Sequence, residues 1–291
     1  MMKQLLILSG KGGTGKTTVA GAMTHLFRAM ACADCDVDAP NLHLIFGNTG
    51  KEQRKDYYGL PKARIDAKLC VSCGRCEADC RFDAIRHGAR YYVDYYACEG
   101  CGVCEAVCPV HAITMEAAVA GKLMLYRGEN VFSTAKLKIG SGTSGKLVAE
   151  VKKQLSDTVQ KDEIAIIDGS PGIGCPVIAS LSGADMALIV AEPSVSGISD
   201  MERIIKTAKY FKTETAVCVN KHDTNPSITR KIEDYCSENG LPFAGKIPYD
   251  AKAVQAINEG KSIVDIDCPS GAAVKALYKK VMEIMRGKGI V

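Results

Sequence analysis

The stretch Gly10-Lys11-Gly12-Gly13-Thr14-Gly15-Lys16-Thr17-Thr18 has residue types and spacing suited to holding a chain of phosphates. It fits G-x-x-x-x-G-K-[ST], set between an apolar run at Leu5–Leu8 and a helical pattern that continues through Thr24. Glycines without Cβ let successive backbone N–H groups turn inward around phosphate oxygens. The positive end of the following helix adds to the same field. Lys16 is placed to reach the β- and γ-phosphates, and the Thr17 hydroxyl to fill one Mg2+ position. The expected ligand is a nucleoside triphosphate with Mg2+, taken as ATP.

A second constellation is made of thiols. Cys70-Val-Ser-Cys73-Gly-Arg-Cys76-Glu-Ala-Asp-Cys80 is echoed by Cys98-Glu-Gly-Cys101-Gly-Val-Cys104-Glu-Ala-Val-Cys108. The echo extends outward: Asp66 and Asp94 stand at the same interval before each first cysteine, and Ala84-Ile85 matches Ala112-Ile113. Eight of the 14 cysteines fall in this repeat. In a secreted mini-protein they would be a disulfide framework; in this chain metal binding is the better reading, with zinc a distant second to iron–sulfur. Cys32 and Cys35 share a metal-like spacing, but in a strand they point to opposite faces, so they are read as small buried residues.

The elements that must position these residues follow an α/β rhythm. Ile164–Ile167 reads as a buried strand ending in Asp168, an arrangement that supplies a carboxylate to Mg2+. A strand over Ala31–Asp36 is expected to end in the acidic cluster Asp34, Asp36 and Asp38, at the strand end where α/β sheets bind ligands. Strands at Met186–Ala191, Thr215–Asn220 and Phe243–Ile247 alternate with helices, such as the one with Met201, Ile204, Ile205 and Ala208 on one face. Lys122–Arg127 and Val131–Ile139 read as a hairpin around Gly128-Glu129-Asn130. Gly140–Gly145 looks faintly like a second phosphate loop, but Leu147 stands where the hydroxyl is needed, so it is read as a loop before a helix. A last helix, Ala272–Arg286, carries a packing stripe of Val274, Leu277, Tyr278 and Val281.

The 291 residues suffice for one large α/β domain with a small insert. A net charge of +4 gives no reason to expect nucleic acid. No apolar run approaches the length of a membrane span. The start, Met1 to Leu8, runs straight into the phosphate loop and reads as a core strand rather than a leader, so a cytoplasmic location is expected.

With Lys11 after the first glycine, the loop resembles the deviant Walker A motif of the nitrogenase iron protein, MinD, ParA and Mrp group. The whole chain resembles MinD-superfamily P-loop ATPases that contain an inserted ferredoxin domain. This resemblance implies an α/β fold with a doubly wound, mostly parallel sheet of the SIMIBI type, over residues 1–57 and 117–291. A two-cluster ferredoxin-like α+β domain is implied at 58–116. It further implies that Lys11 acts across a homodimer bridged by ATP, and that Asp36 helps orient the attacking water and the Mg2+ shell with Thr17 and Asp168. By the same resemblance Asn220 reads adenine, Pro248 opens a base-cradling turn, and Pro171-Gly172 forms a second switch. The cysteine run is similar to that of two-cluster bacterial ferredoxins. Their crossed pairing puts one [4Fe–4S] cluster on Cys70, Cys73, Cys76 and Cys108, and the other on Cys80, Cys98, Cys101 and Cys104. Arg81 departs from that run, where proline usually follows the fourth cysteine. It frees the local turn and puts a positive charge near the second cluster, whose potential is expected to rise. Cys175 matches the offset of a cluster ligand in the nitrogenase iron protein, but no second cysteine accompanies it, and it is read first as a helix-packing thiol. The expected function is an ATPase coupling nucleotide state to electron transfer toward an unidentified protein partner, without membrane or nucleic acid. The alternatives are an Mrp-type iron–sulfur carrier, against which the missing Cys-x2-Cys pair counts, and a non-redox positioning switch like MinD or ParA.

Overall fold

A computed structural model describes residues 2–46, 50–159 and 163–291. The chain begins with β1 (Lys3–Leu8), α1 (Lys16–Phe27), β2 (Ala31–Asp34), α2 (His43–Phe46) and β3 (Lys51–Tyr58). There follow β4 (Lys62–Ile65), α3 (Arg75–Ala78), β5 (Ile85–His87), β6 (Tyr91–Val93), α4 (Val103–Ala106) and β7 (Ile113–Glu116). Next come β8 (Val119–Arg127), β9 (Val131–Leu137), α5 (Ser144–Ser156), β10 (Ile164–Asp168), α6 (Cys175–Leu181) and β11 (Met186–Ala191). The chain then runs through α7 (Val195–Tyr210), β12 (Glu214–Asn220), α8 (Pro226–Glu238), β13 (Phe243–Ile247), α9 (Ala251–Asn258) and α10 (Pro269–Gly287). The start of the expected first strand at Met1 lies outside the described residues.

Nine strands form one sheet in the order β13-β12-β11-β1-β10-β2-β9-β8-β3. From β13 to β9 every pairing is parallel. Parallel strands covered on both faces read as unbroken apolar runs, and Leu5, Leu6, Ile7 and Leu8 are all fully buried. With β1 at the centre, the loops leaving β1, β2, β10, β11 and β12 open at one edge of the sheet. That crevice is where doubly wound folds place ligands. Val19 and Met23 of α1 share a core with Val274, Leu277, Val281 and Met285 of α10, which explains the spacing of that last stripe. Side chains fix where two helices start: Ser194 accepts the Gly197 N–H, and Asn225 accepts the Ile228 N–H just before Pro226.

The chain divides into two compact units, the first comprising Met1–Arg54, Leu123–Ala135 and Gly145–Val291, the second Lys55–Lys122 and Lys136–Ser144. Within the second unit β4 pairs antiparallel with β7, and β5 with β6. The sequence echo is also a backbone echo. Asp66 donates its N–H to Ala112 O and Asp94 donates to Ala84 O, each at 2.7 Å, while Cys70 and Cys98 donate to Asp66 O and Asp94 O, each at 3.0 Å. Gly74 and Gly102 both take φ near +78° ahead of their short helices, and Asp83 and His111 take +49° and +51°. The core of this unit is small and partly made of the cysteines themselves: Cys76, Cys98 and Cys104 pack with Ala63, Ala84, Ile85 and Ile113.

Candidate functional site

The phosphate loop is formed in full. Gly15 has φ +87°, and a Cβ there would lie 2.2 Å from Asn220 Nδ2. A Cβ on Gly10 would lie 2.1 Å from the Cβ of Asp200. Each glycine is thus required by a close neighbour, and Gly15 also by its left-handed backbone. Lys16 opens α1 and lies 2.5 Å from Asp168 Oδ1, with 6 % of the lysine side chain and none of the aspartate exposed. Lys16 also approaches Thr17 Oγ1 at 3.4 Å. Asp168 Oδ2 and Thr14 Oγ1 are buried and have no hydrogen-bond partner. Such orphaned oxygens are what a site built for Mg2+ and phosphate would present, and Thr17, Asp36 and Asp168 are the residues that would hold the ion.

The acidic cluster differs from a simple strand continuation. β2 ends at Asp34, not Asp36, because the fully buried Asp34 carboxylate turns back on the chain. It accepts the N–H groups of Asp36 (3.0 Å), Asn41 (2.8 Å) and Leu42 (2.9 Å), clamping the turn that carries Asp36. Burial pushes the Asp34 pKa up to about 7, with the facing Asp168 adding to it. Asp36 is raised by burial, and Lys16 opposes the rise. Cys32 and Cys35 are buried free thiols.

Lys11 is engaged within its own chain: Nζ lies 2.6 Å from Glu192 Oε2 and 3.3 Å from Ser194 Oγ. Lys221 approaches the other Glu192 oxygen at 3.9 Å and donates to Gly13 O at 2.9 Å. Asn220 Nδ2 donates to Thr14 O at 2.6 Å. A cleft beside the loop is lined by Gly13, Gly15, Thr18, Asn220, Pro248 and Tyr249, among others, so the two residues expected at the base stand together next to the glycines. The turn at Pro248 is tied down by Tyr249, whose N–H donates to Asp223 at 2.7 Å, and by Asp250, which caps α9. Gly12 has open space around it. Cys175 begins α6 beside Gly145 and is exposed, so it does not act as a packing thiol.

In the second unit Cys80, Cys98, Cys101 and Cys104 line one cavity, together with apolar walls from Phe82, Ile85, Val93 and Met115. Burial pushes the Cys104 thiol up to about 11, and Cys98, Cys101 and Cys80 add to the rise. The Cys76 thiol is raised in the same way, by burial and then by Cys70 and Cys73. Ala84 N–H points at Cys80 Sγ (3.4 Å) and Ala112 N–H at Cys108 Sγ (3.2 Å), so those two thiols hold equivalent places in the repeat. Among the described residues no three His, Cys, Asp or Glu side chains are arranged around a single metal ion. Cys80, Cys98, Cys101 and Cys104 supply four thiols to the one cavity, the donor type that would hold an iron–sulfur group there.

A profile of the CobQ/CobB/MinD/ParA nucleotide-binding domain matches residues 5–263. The chain belongs to this family. One relative, an uncharacterised protein of Methanocaldococcus jannaschii, is 32 % identical over 98 % of both chains. Another from the same organism, named an iron-sulfur cluster carrier protein, is 23 % identical over 98 % of this chain and 86 % of its own. Among solved structures, the septum site-determining protein MinD from Pyrococcus horikoshii, complexed with Mg-ADP, superposes with a TM-score of 0.58 at 17 % identity, covering 98 % of this chain and 97 % of that one. This is a MinD-like P-loop fold with a mostly parallel sheet. No helix among the described residues is long and apolar enough to cross a membrane.

Three residues that the motifs did not single out stand against the phosphate loop: Glu192 and Ser194 contact Lys11, and Asp200 lies against Gly10. All follow β11, at the same edge of the sheet as the phosphate loop. For Glu192 the signal that could have found it is position: an apolar strand followed at once by a carboxylate.

Proposed function

We propose that the chain is an ATP-operated iron–sulfur protein that couples the state of the bound nucleotide to electron transfer through two [4Fe–4S] clusters. The observation that carries this reading is the convergence of Cys80 with Cys98, Cys101 and Cys104 on one cavity, across the gap between the two cysteine runs. Residues 58–116 would form the ferredoxin-like domain. Cys70, Cys73, Cys76 and Cys108 would hold one cluster, and Cys80, Cys98, Cys101 and Cys104 the other. Such clusters supply one-electron chemistry.

On the nucleotide side, phosphoryl transfer asks the protein for position and charge more than for covalent chemistry. The N–H groups of Gly12 to Thr18 would cradle the phosphates. Lys16 would exchange its contact with Asp168 for the β- and γ-phosphate oxygens. The freed Asp168, with Thr17 and Asp36, would surround Mg2+, and Asp36 would orient the attacking water. Asn220 and the turn at Pro248 would hold the base. Lys11 would leave Glu192 to reach the nucleotide of a second copy, giving an ATP-bridged homodimer that docks on a redox partner protein.

The test is anaerobic: iron and sulfide content, then EPR of the dithionite-reduced protein with and without MgATP. About eight irons per chain, with signals or potentials that move when MgATP is added, is the expected result. Zinc in their place, or no bound metal, sinks the reading. A second reading, a carrier that delivers iron–sulfur clusters, is favoured by the name of the 23 % identical relative. It predicts loss of iron to an apo-acceptor protein on ATP addition, with spectra of the retained clusters unchanged. A positioning switch without redox work, suggested by the MinD-like fold, predicts a dimer whose ATP response is the same with and without iron.

A further inference from the structure

A second cavity in the first unit, of about 490 Å3, is lined by Thr24, His25 and Arg28 from the end of α1 and by Lys261, Ser262 and Asp265 beyond α9. Its volume is in the range of small-molecule pockets. α1 leaves the phosphate loop at Lys16 and its 12 residues span about 18 Å, so this cavity stands at the far end of the helix. α1 also lines the nucleotide cleft with Thr18 and Val19, and α9 with Ala253 and Val254, yet no described residue lines both spaces. Two groups in the lining are unspent. Ser262 is 6 % exposed, and its hydroxyl has no hydrogen-bond partner among the described residues. A buried polar group in that state marks a place where a ligand or water completes the count. Arg28 ends α1 in left-handed backbone (φ +48°), and its guanidinium makes no hydrogen bond or ion pair among the described residues. The other charges are answered locally: His25 Nε2 lies 3.1 Å from Asp265 Oδ1, and Lys261 Nζ lies 2.8 Å from Glu259 Oε2.

We infer that this cavity is a second ligand site, for a small hydroxyl-bearing phosphate monoester of the sugar-phosphate class. The unanswered charge in the lining is the Arg28 guanidinium, whose planar fork matches two oxygens of a phosphate. The Lys261 ammonium has three donors and spends one on Glu259, which leaves two for the same group. Ser262 and Asp265 offer a hydroxyl and a carboxylate to the hydroxyl groups of the ligand body. The apolar side chains of the lining are Ala29, Met30 and Ile45, none of them a flat ring on which a nucleobase stacks. The chemistry of the lining therefore takes a phosphate and hydroxyls without a base, unlike the cleft beside the phosphate loop. The site stands independently of the iron–sulfur reading, since none of its lining residues belongs to the cysteine unit.

The experiment is equilibrium dialysis of the full chain against radiolabelled ribose 5-phosphate, with saturating MgADP present so that the phosphate loop is already filled. Ribose and inorganic phosphate are the competitors. The native protein is expected to take up one equivalent of the ester, with each competitor at least about tenfold weaker. Arg28→Gln should weaken binding by at least about tenfold, and Ser262→Ala by about threefold or more. Arg28 is exposed and without a side-chain partner, so its variant should unfold at the native urea concentration, which separates lost binding from lost fold. No saturable uptake by the native protein, or equal uptake by native and Arg28→Gln, overturns the site. Inorganic phosphate competing as tightly as the ester overturns the class of ligand.

Discussion

Lys11 and Glu192 are paired at 2.6 Å within one chain; Ser194 Oγ accepts from the same lysine, and Lys221 approaches the same carboxylate. A lysine held this way is not free to reach a second subunit. Both side chains are partly exposed, at 39 % and 25 %, so the pair is worth no more than about 1 kcal/mol. A phosphate with two negative charges outcompetes it. Glu192→Gln is expected to lower the ATP concentration needed for half-maximal dimerisation by roughly two- to fivefold, read by light scattering. Lys11→Ala should bind ATP and stay monomeric. An unchanged midpoint in Glu192→Gln would show that the pairing does not restrain the lysine.

The Lys16–Asp168 pair is a different case, because it is buried and Asp34 faces Asp168 across the β2–β10 register. Removing the lysine leaves two fully buried acidic side chains at one register position without their cation. Lys16→Ala should therefore lose about 3–5 kcal/mol of stability in urea unfolding without nucleotide, besides losing ATP binding. A variant that binds no ATP but unfolds at the native urea concentration would contradict this.

Lys152 gives a pH dependence with a definite sign. It is buried, donates to Ser180 O at 2.5 Å and Ser182 O at 2.6 Å, and burial lowers its pKa from 10.5 to about 8. Between those values the unfolded chain holds more protons than the folded one, so this group makes stability rise with pH from about 8 to 10.5, by about 3 kcal/mol at most. Buried thiols such as Cys218, pushed up to about 12, act in the opposite direction above pH 9. The comparison is therefore between the native chain and Lys152→Met across that window: the variant should lose more stability on going alkaline. Parallel curves would remove Lys152 from the account.

Crossed ligation has a simple chemical signature. Cys80 and Cys98 share a cavity, so losing both should cost one cluster, leaving about four irons in the Cys80→Ser, Cys98→Ser double variant. If each run of cysteines held its own cluster, the same variant would retain almost none. Iron analysis after anaerobic reconstitution separates the two.

Much of this arrangement was legible in the residues. β1, β10 and β11 were visible because a strand covered on both faces has no polar face to interrupt it, and the cysteine repeat because its spacing recurs. β3 was not, since its Lys-Glu-Gln-Arg-Lys-Asp-Tyr-Tyr sequence sits at the sheet edge with almost every side chain exposed, and carries neither an apolar run nor alternation. The end of β2 was misplaced at Asp36 because periodicity cannot reveal that Asp34 caps its own turn. Glu192 is marked in the sequence only by its place directly after the apolar run of β11, and Asp200 meets the phosphate loop only through strand order, which puts β11 beside β1. A packing role for Cys175 follows from its place in a helix, but it is the first residue of that helix and is exposed.

The phosphate loop owes its closed shape to partners that are far away along the chain. Asp168 stands 152 residues beyond Lys16, and Asn220 stands 206 residues beyond Thr14. At roughly 5–20 residues per second of synthesis, the loop leaves the ribosome about 10–40 s before the asparagine that props it. During that interval the nascent chain has the motif without the pocket. If ATP bridges two copies as proposed, a new chain would become competent to join its partner only after most of the sheet has been translated.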